Sequence, residues 1–282
     1  MRNPLYTTRF PAVFDIVVMV VIFLFVQIIL NVILGLCGLS APATSAIDAV
    51  DIEQYMSEQI ALGEYIAIVY PLAMSLAIGA LWAYARLRGG KRVITIRHAK
   101  SGLNPNIILM GALWLLSSQI ILEPVATLLP QSEGNGLGRG LSACITAIIM
   151  APIFEELLCR GLIFETLRRR WGNIISIGVS SLFFGLIHGD VATALVAIVA
   201  GIIFGIIYIR TSSLYTTIII HAINNSIAMA LIGFGVGDMS FHDILGGGVV
   251  YWTIYGVAIA IFVGSATEAY FKVFKPKLKV VK

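Results

Sequence analysis

The chain is predicted to fold as an all-α, polytopic membrane protein of about eight transmembrane helices, with both termini cytoplasmic. Three observations predict this. Hydrophobic residues make up 59% of the sequence and charged residues 12%, whereas a soluble domain carries about 25% charged residues. Apolar runs long enough to cross a hydrocarbon core, which takes about 20 helical residues, recur along the whole chain. The loops between those runs alternate between basic and acidic.

The first apolar run covers 12–39 and follows Arg2 and Arg9. It is too long for the apolar region of a cleaved signal peptide, and Leu36 stands where a lipoprotein cleavage site needs a small residue, so a retained helix is expected. The next loop carries Asp48, Asp51, Glu53 and Glu58 and no basic residue. A second span, 64–85, leads to Arg86, Arg88, Lys91, Arg92, Arg97 and Lys100. The third, 106–129, ends before a loop with Glu133 and Arg139. The fourth, 141–165, is followed by Arg168, Arg169 and Arg170. The fifth, 172–188, is short and turns tightly through Gly189 and Asp190 into the sixth, 191–209. Arg210 precedes the seventh, 214–234, and Asp238 and Asp243 follow it. The eighth, 249–271, runs into a tail with Lys272, Lys275, Lys277, Lys279 and Lys282. Basic loops mark the cytoplasmic side, so the alternation places both termini there, in a plasma membrane.

No repeat or separate soluble domain interrupts this pattern, and residues 1–282 read as one integral membrane domain. The net charge is +4, but the basic residues sit at the ends of apolar segments. They therefore suit membrane lipids with anionic headgroups rather than nucleic acid. Cys37, Cys144 and Cys159 form no CxxC pair and read as packing residues rather than a disulfide framework or a zinc site.

An ionisable residue at the centre of a membrane helix costs about 2.5–3.5 kcal/mol on insertion scales, so such residues tend to mark function. The stretch "APIFEELLCRG" places Glu155, Glu156 and Arg160 inside an apolar run, and two of the four histidines, His188 and His221, lie in later spans. From the helical rise, Glu155 lies about 20 Å from the inner boundary, His188 about 25 Å, His221 about 16 Å and Asn225 about 22 Å. Three helices thus deliver polar groups to a similar depth.

Glu156 and Arg160 are i and i+4, so they share a helix face and can neutralise each other. Glu155 is rotated about 100° from that face and cannot share the pairing equally. Pro152 removes one helical hydrogen bond just before them and should loosen the helix there. His221 and Asn225 are again i and i+4, as are Phe184 and His188, which sets an aromatic ring beside the imidazole. A carboxylate outside the ion pair and two histidines around a water suggest hydrolysis. Glu155 would act as general base, and a histidine with an asparagine would stabilise the oxyanion. The same Glu155, His188 and His221 could instead bind zinc, since two histidines and a glutamate form a known catalytic ligand set. The sequence leaves both routes open.

"EELLCR" (Glu155, Glu156, Arg160), "FGLIH" (Phe184, His188) and "HAINN" (His221, Asn225) resemble the EExxxR, FxxxH and HxxxN motifs of the CAAX prenyl protease and bacteriocin-processing family of intramembrane proteases. The motifs stand in that order on successive spans, and the likeness covers roughly 140–232. It implies an eight-helix fold and an endopeptidase acting on a membrane-associated peptide or protein. It further implies Glu155 and His188 as the water-activating pair, His221 and Asn225 at the oxyanion, and Glu156 and Arg160 holding the site together. Both a metal-dependent and a metal-free glutamate mechanism are described for the family.

Other chemistries are disfavoured. "GVGD" (Gly235 to Asp238) resembles one element of the intramembrane aspartyl proteases, but the second aspartate they need could only be Asp15, near the opposite surface. No GxSG or HExxH motif is present. A proton- or ion-coupled transporter would also bury glutamate, histidine and arginine, yet no inverted repeat accompanies them here. A catalytically silent scaffold or immunity factor of the same fold is the other alternative, and the intact motifs favour activity over it.

Overall fold

The computed structural model describes residues 10–43, 51–90, 94–97, 99, 103–130, 136–237 and 239–274. Among them, seven helices are long and apolar enough to cross a bilayer. They group into two compact units, residues 1–95 with 132–176 and residues 96–131 with 177–282.

In the first unit, α1 (Val13–Leu36) follows the first predicted span closely. Its Asp15 is fully buried and accepts hydrogen bonds from Tyr84 Oη at 2.6 Å and Arg88 Nε at 2.8 Å. Both partners belong to the end of α2 (Ile52–Leu87) and its cap, so this cluster fixes α1 against α2. It also accounts for the one other aspartate the aspartyl-protease reading required.

The helix α2 corrects one expectation. It has 36 residues, about 54 Å at the helical rise, against a hydrocarbon core of about 30 Å. Glu53 and Glu58, expected in a loop, are helical. Asp51 caps the helix by accepting the amide of Glu53. The extra turns are polar and extend the helix beyond the length a bilayer requires.

A second correction concerns spans four and five. The helical run from Gly140 to Leu186 is 47 residues long, and no loop separates 165 from 172. It comprises α4 (Gly140–Ile145), a π-helical stretch Thr146–Met150, α5 (Ala151–Glu156), a second π stretch Leu157–Phe164, and α6 (Glu165–Leu186). Gly172, at φ 76° and ψ −175°, breaks α6 with a backbone conformation that only glycine adopts readily. The run is therefore two helical segments, which reconciles seven continuous helices with about eight spans. Arg168, Arg169 and Arg170, expected in a loop, lie on the last turns before this break. Arg169 donates to Thr95 Oγ1 at 2.6 Å and Arg170 to the Pro11 carbonyl at 2.8 Å, tying the helix to the start of α1 and to the segment after α2.

The second unit is built on α3 (Pro105–Ala126), which packs against α7 (Val191–Thr211), α8 (Leu214–Gly233) and α10 (Gly248–Ala269). The end of α6 lies very close to α7. A Cβ on Gly201 would stand 2.9 Å from Ser181 Cα, and one on Gly205 would stand 3.2 Å from Ile177. Small residues one turn apart let membrane helices approach this way. Asp190 caps α7 by accepting the Thr193 amide at 2.9 Å, in the tight turn the sequence predicts. Glu123 of α3 accepts the Tyr251 hydroxyl at 2.9 Å and the amides of Phe241 and His242, which hold the short helix α9 (Phe241–Ile244). Asp238 lies outside the described residues.

Candidate active site

The candidate residues fall into two clusters, one in each unit. Glu155, Glu156 and Arg160 belong to the first unit, and Phe184, His188, His221 and Asn225 to the second.

In the first cluster, α5 is one short α-helical piece between two π-helical stretches, with Pro152 in its first turn. The loosening expected at Pro152 takes this form, and π windings inside helices are frequent at functional sites. Arg160 Nη1 donates to Glu156 Oε1 at 2.7 Å, with both side chains fully buried. This is the i, i+4 pair anticipated from the spacing. Glu155 is 7% exposed and takes a different kind of partner: Tyr70 of α2 donates its hydroxyl to Glu155 Oε1 at 2.7 Å. Of the two adjacent carboxylates, Glu156 thus meets a guanidinium and Glu155 a phenol. The Tyr70 ring also packs edge-on against Phe154, with centroids 6.4 Å apart. Tyr70 escapes sequence reasoning because it belongs to none of the three motifs. The only local signal is Pro71, a helix-interior proline directly after it.

In the second cluster, the close packing of α6 on α7 sets Phe184 against Phe204, with ring centroids 6.0 Å apart. His221, on α8, stacks near both, 5.6 Å from Phe184 and 5.1 Å from Phe204. His188 completes the group, its ring 4.9 Å from Phe184 as the spacing predicts. His188 Nδ1 lies 2.7 Å from the Phe184 carbonyl oxygen. A carbonyl can only accept, so Nδ1 carries a proton and donates it to this oxygen. His221 is 4% exposed, whereas His188 and Asn225 are half-buried.

Asn225 is reached through a polar chain. Gln119 of α3 donates to Asn224 Oδ1 at 2.5 Å, and Asn224 Nδ2 donates to Asn225 Oδ1 at 3.3 Å. Asn224 therefore makes a hydrogen bond between α8 and α3. Its neighbour has an oxygen engaged as acceptor, which orients the Asn225 amide with NH₂ on the opposite side.

A catalytic zinc needs about three protein ligands. The first cluster contributes carboxylates and the second imidazoles, and neither unit gathers three such donors by itself. Among the described residues no group of three His, Cys, Asp or Glu side chains could hold a metal ion. The chemistry below is derived from the side chains of this chain.

Residues 138–227 match the family model described as "Type II CAAX prenyl endopeptidase Rce1-like". The chain is also similar to the Bacillus subtilis (strain 168) protein named "Putative membrane peptidase YdiL", at 29% identity over 87 residues. That alignment covers 31% of this chain and 36% of the relative, so the likeness spans about a third of each. No solved structure matches the chain. The matched region contains both clusters and all three motifs, α2 and its Tyr70 lying outside it.

Proposed function

We propose, from findings that support the CAAX prenyl protease and bacteriocin-processing family over residues 138–227, that this protein is a membrane endopeptidase. Its substrate is a membrane-associated peptide or protein. Glu155, with His188, removes a proton from a water, and the resulting hydroxide adds to the carbonyl carbon of the scissile bond. His221 and the Asn225 amide donate hydrogen bonds to the oxyanion that forms. Collapse of the tetrahedral species breaks the C–N bond, and the proton taken from water passes to the departing amine. Glu156 and Arg160 neutralise each other, which makes it tolerable to bury this many charges together. Phe184 packs against both histidines and fixes their rings. The protein sits in a plasma membrane with both termini cytoplasmic, its helix-end basic residues meeting anionic headgroups.

The observation that carries this reading is the burial of Glu155 within hydrogen-bond reach of the Tyr70 hydroxyl, next in sequence to a glutamate paired with Arg160. Glu156 is held in a 2.7 Å ion pair with Arg160, and Glu155 accepts a hydrogen bond from the Tyr70 hydroxyl at 2.7 Å. The test compares wild type with Glu155→Gln on a membrane-peptide library in liposomes. Loss of the general base should lower cleavage by about 10²–10⁴-fold, and a zinc chelator should leave wild-type cleavage unchanged. Cleavage by Glu155→Gln at the wild-type rate would overturn the assignment, and chelator-sensitive cleavage would overturn the metal-free route.

A further inference from the structure

Tyr70 lies on α2, 85 positions from Glu155 in sequence and outside the matched region, yet its hydroxyl stands 2.7 Å from Glu155 Oε1. We propose that Tyr70 is the positioning residue of the general base, holding the Glu155 carboxylate in one orientation for proton transfer. This inference rests on the hydrolytic reading given above.

The chemistry of the donor is the argument. A buried carboxylate needs a hydrogen-bond partner to offset its desolvation. An arginine or lysine supplies one and also neutralises the charge, as Arg160 does for Glu156. A phenol donates a single hydrogen bond, stays uncharged and cannot readily surrender its proton near neutral pH, since its ordinary pKa is about 10. It therefore fixes a carboxylate without removing the charge on which base catalysis depends.

The ring is itself located from two sides. It belongs to the long helix α2, and it packs edge-on against Phe154, the residue immediately before Glu155. Tyr70 thus touches the base through its hydroxyl and the backbone neighbour of the base through its ring. Pro71 follows directly and has no amide to give the carbonyl one turn back, which lets the backbone around Tyr70 depart from regular α geometry.

Tyr70→Phe removes one oxygen and keeps the ring on Phe154, so the fold should be retained. It should lower kcat about 10- to 100-fold, the range set by losing a hydrogen bond to a charged group, with KM held within about twofold. Site-specific fluorotyrosines at position 70 supply a readout that packing alone would not move: kcat should change in step with phenol acidity across the series. The ¹⁹F resonance of 3-fluorotyrosine at that position should shift in Glu155→Gln and stay in place in Glu156→Gln. Wild-type kcat in Tyr70→Phe, a flat fluorotyrosine series, or a resonance indifferent to Glu155 would each overturn the positioning role while leaving the hydrolase standing. Failure of wild type itself to cleave would instead overturn the hydrolase reading on which the role depends.

Discussion

At the scale of single residues, burial and partner decide what each charged group can do. Arg160 and Glu156 are both fully buried and bonded at 2.7 Å, and breaking such a pair strands a charge in a low-dielectric interior. Arg160→Met alone should therefore cost about 3–5 kcal/mol, whereas Glu156→Leu with Arg160→Met should recover most of that loss. Unfolding titrations in mixed detergent check both variants, and a double variant no more stable than the single would refute a mainly charge-pair role. This pair was legible in the sequence because the α-helical i, i+4 rule links its members locally. So was the contact of Phe184 with His188. Tyr70 was not legible, because a tyrosine in an apolar helix carries no mark of a partner 85 positions away. The orienting chain from Gln119 through Asn224 to Asn225 was not readable, for a similar reason. Gln119 sits on α3, and only folding places it beside α8.

At the scale of elements, the apolar runs gave most helix positions to within a few residues, since bilayer thickness sets a minimum length that composition reveals directly. Departures arose where backbone geometry, rather than hydropathy, sets the boundary. The acidic start of α2 reads as a loop, yet it stays helical because helix formation beyond the bilayer needs no apolar residues. Three consecutive arginines read as a loop before span five, yet they continue a helix that Gly172 ends. The π windings around α5 have no sequence signature beyond Pro152. Close packing of α6 on α7 was likewise hidden in ordinary glycines and serines. There a new side chain would collide with backbone: at Gly201 a Cβ would lie 2.9 Å from Ser181 Cα. Gly201→Val should destabilise the protein by about 1–3 kcal/mol through overpacking. It should also displace Phe184 relative to Phe204 and so lower cleavage beyond the loss of folded protein. Thermal unfolding together with activity per folded molecule measures the two effects separately.

At the scale of the whole molecule, the seven apolar helices among the described residues suit a protein embedded in a bilayer, and the alternating loop charges predict its orientation. The proposed cytoplasmic termini would bring the exposed Cys37, at the end of α1, out on the outer side. An impermeant maleimide should therefore label Cys37 in intact cells, while a carboxy-terminal tag should react with antibody only after permeabilisation. The reverse pattern would invert the topology. The central claim, however, is chemical: Glu155 activates a water that cleaves a peptide bond. Its most direct test is cleavage of a membrane peptide in H₂¹⁸O by the reconstituted protein, read by mass spectrometry of the new carboxy terminus. The account predicts one ¹⁸O atom per product from wild type and no product above background from Glu155→Gln. Equal, ¹⁸O-labelled product from both proteins would contradict it.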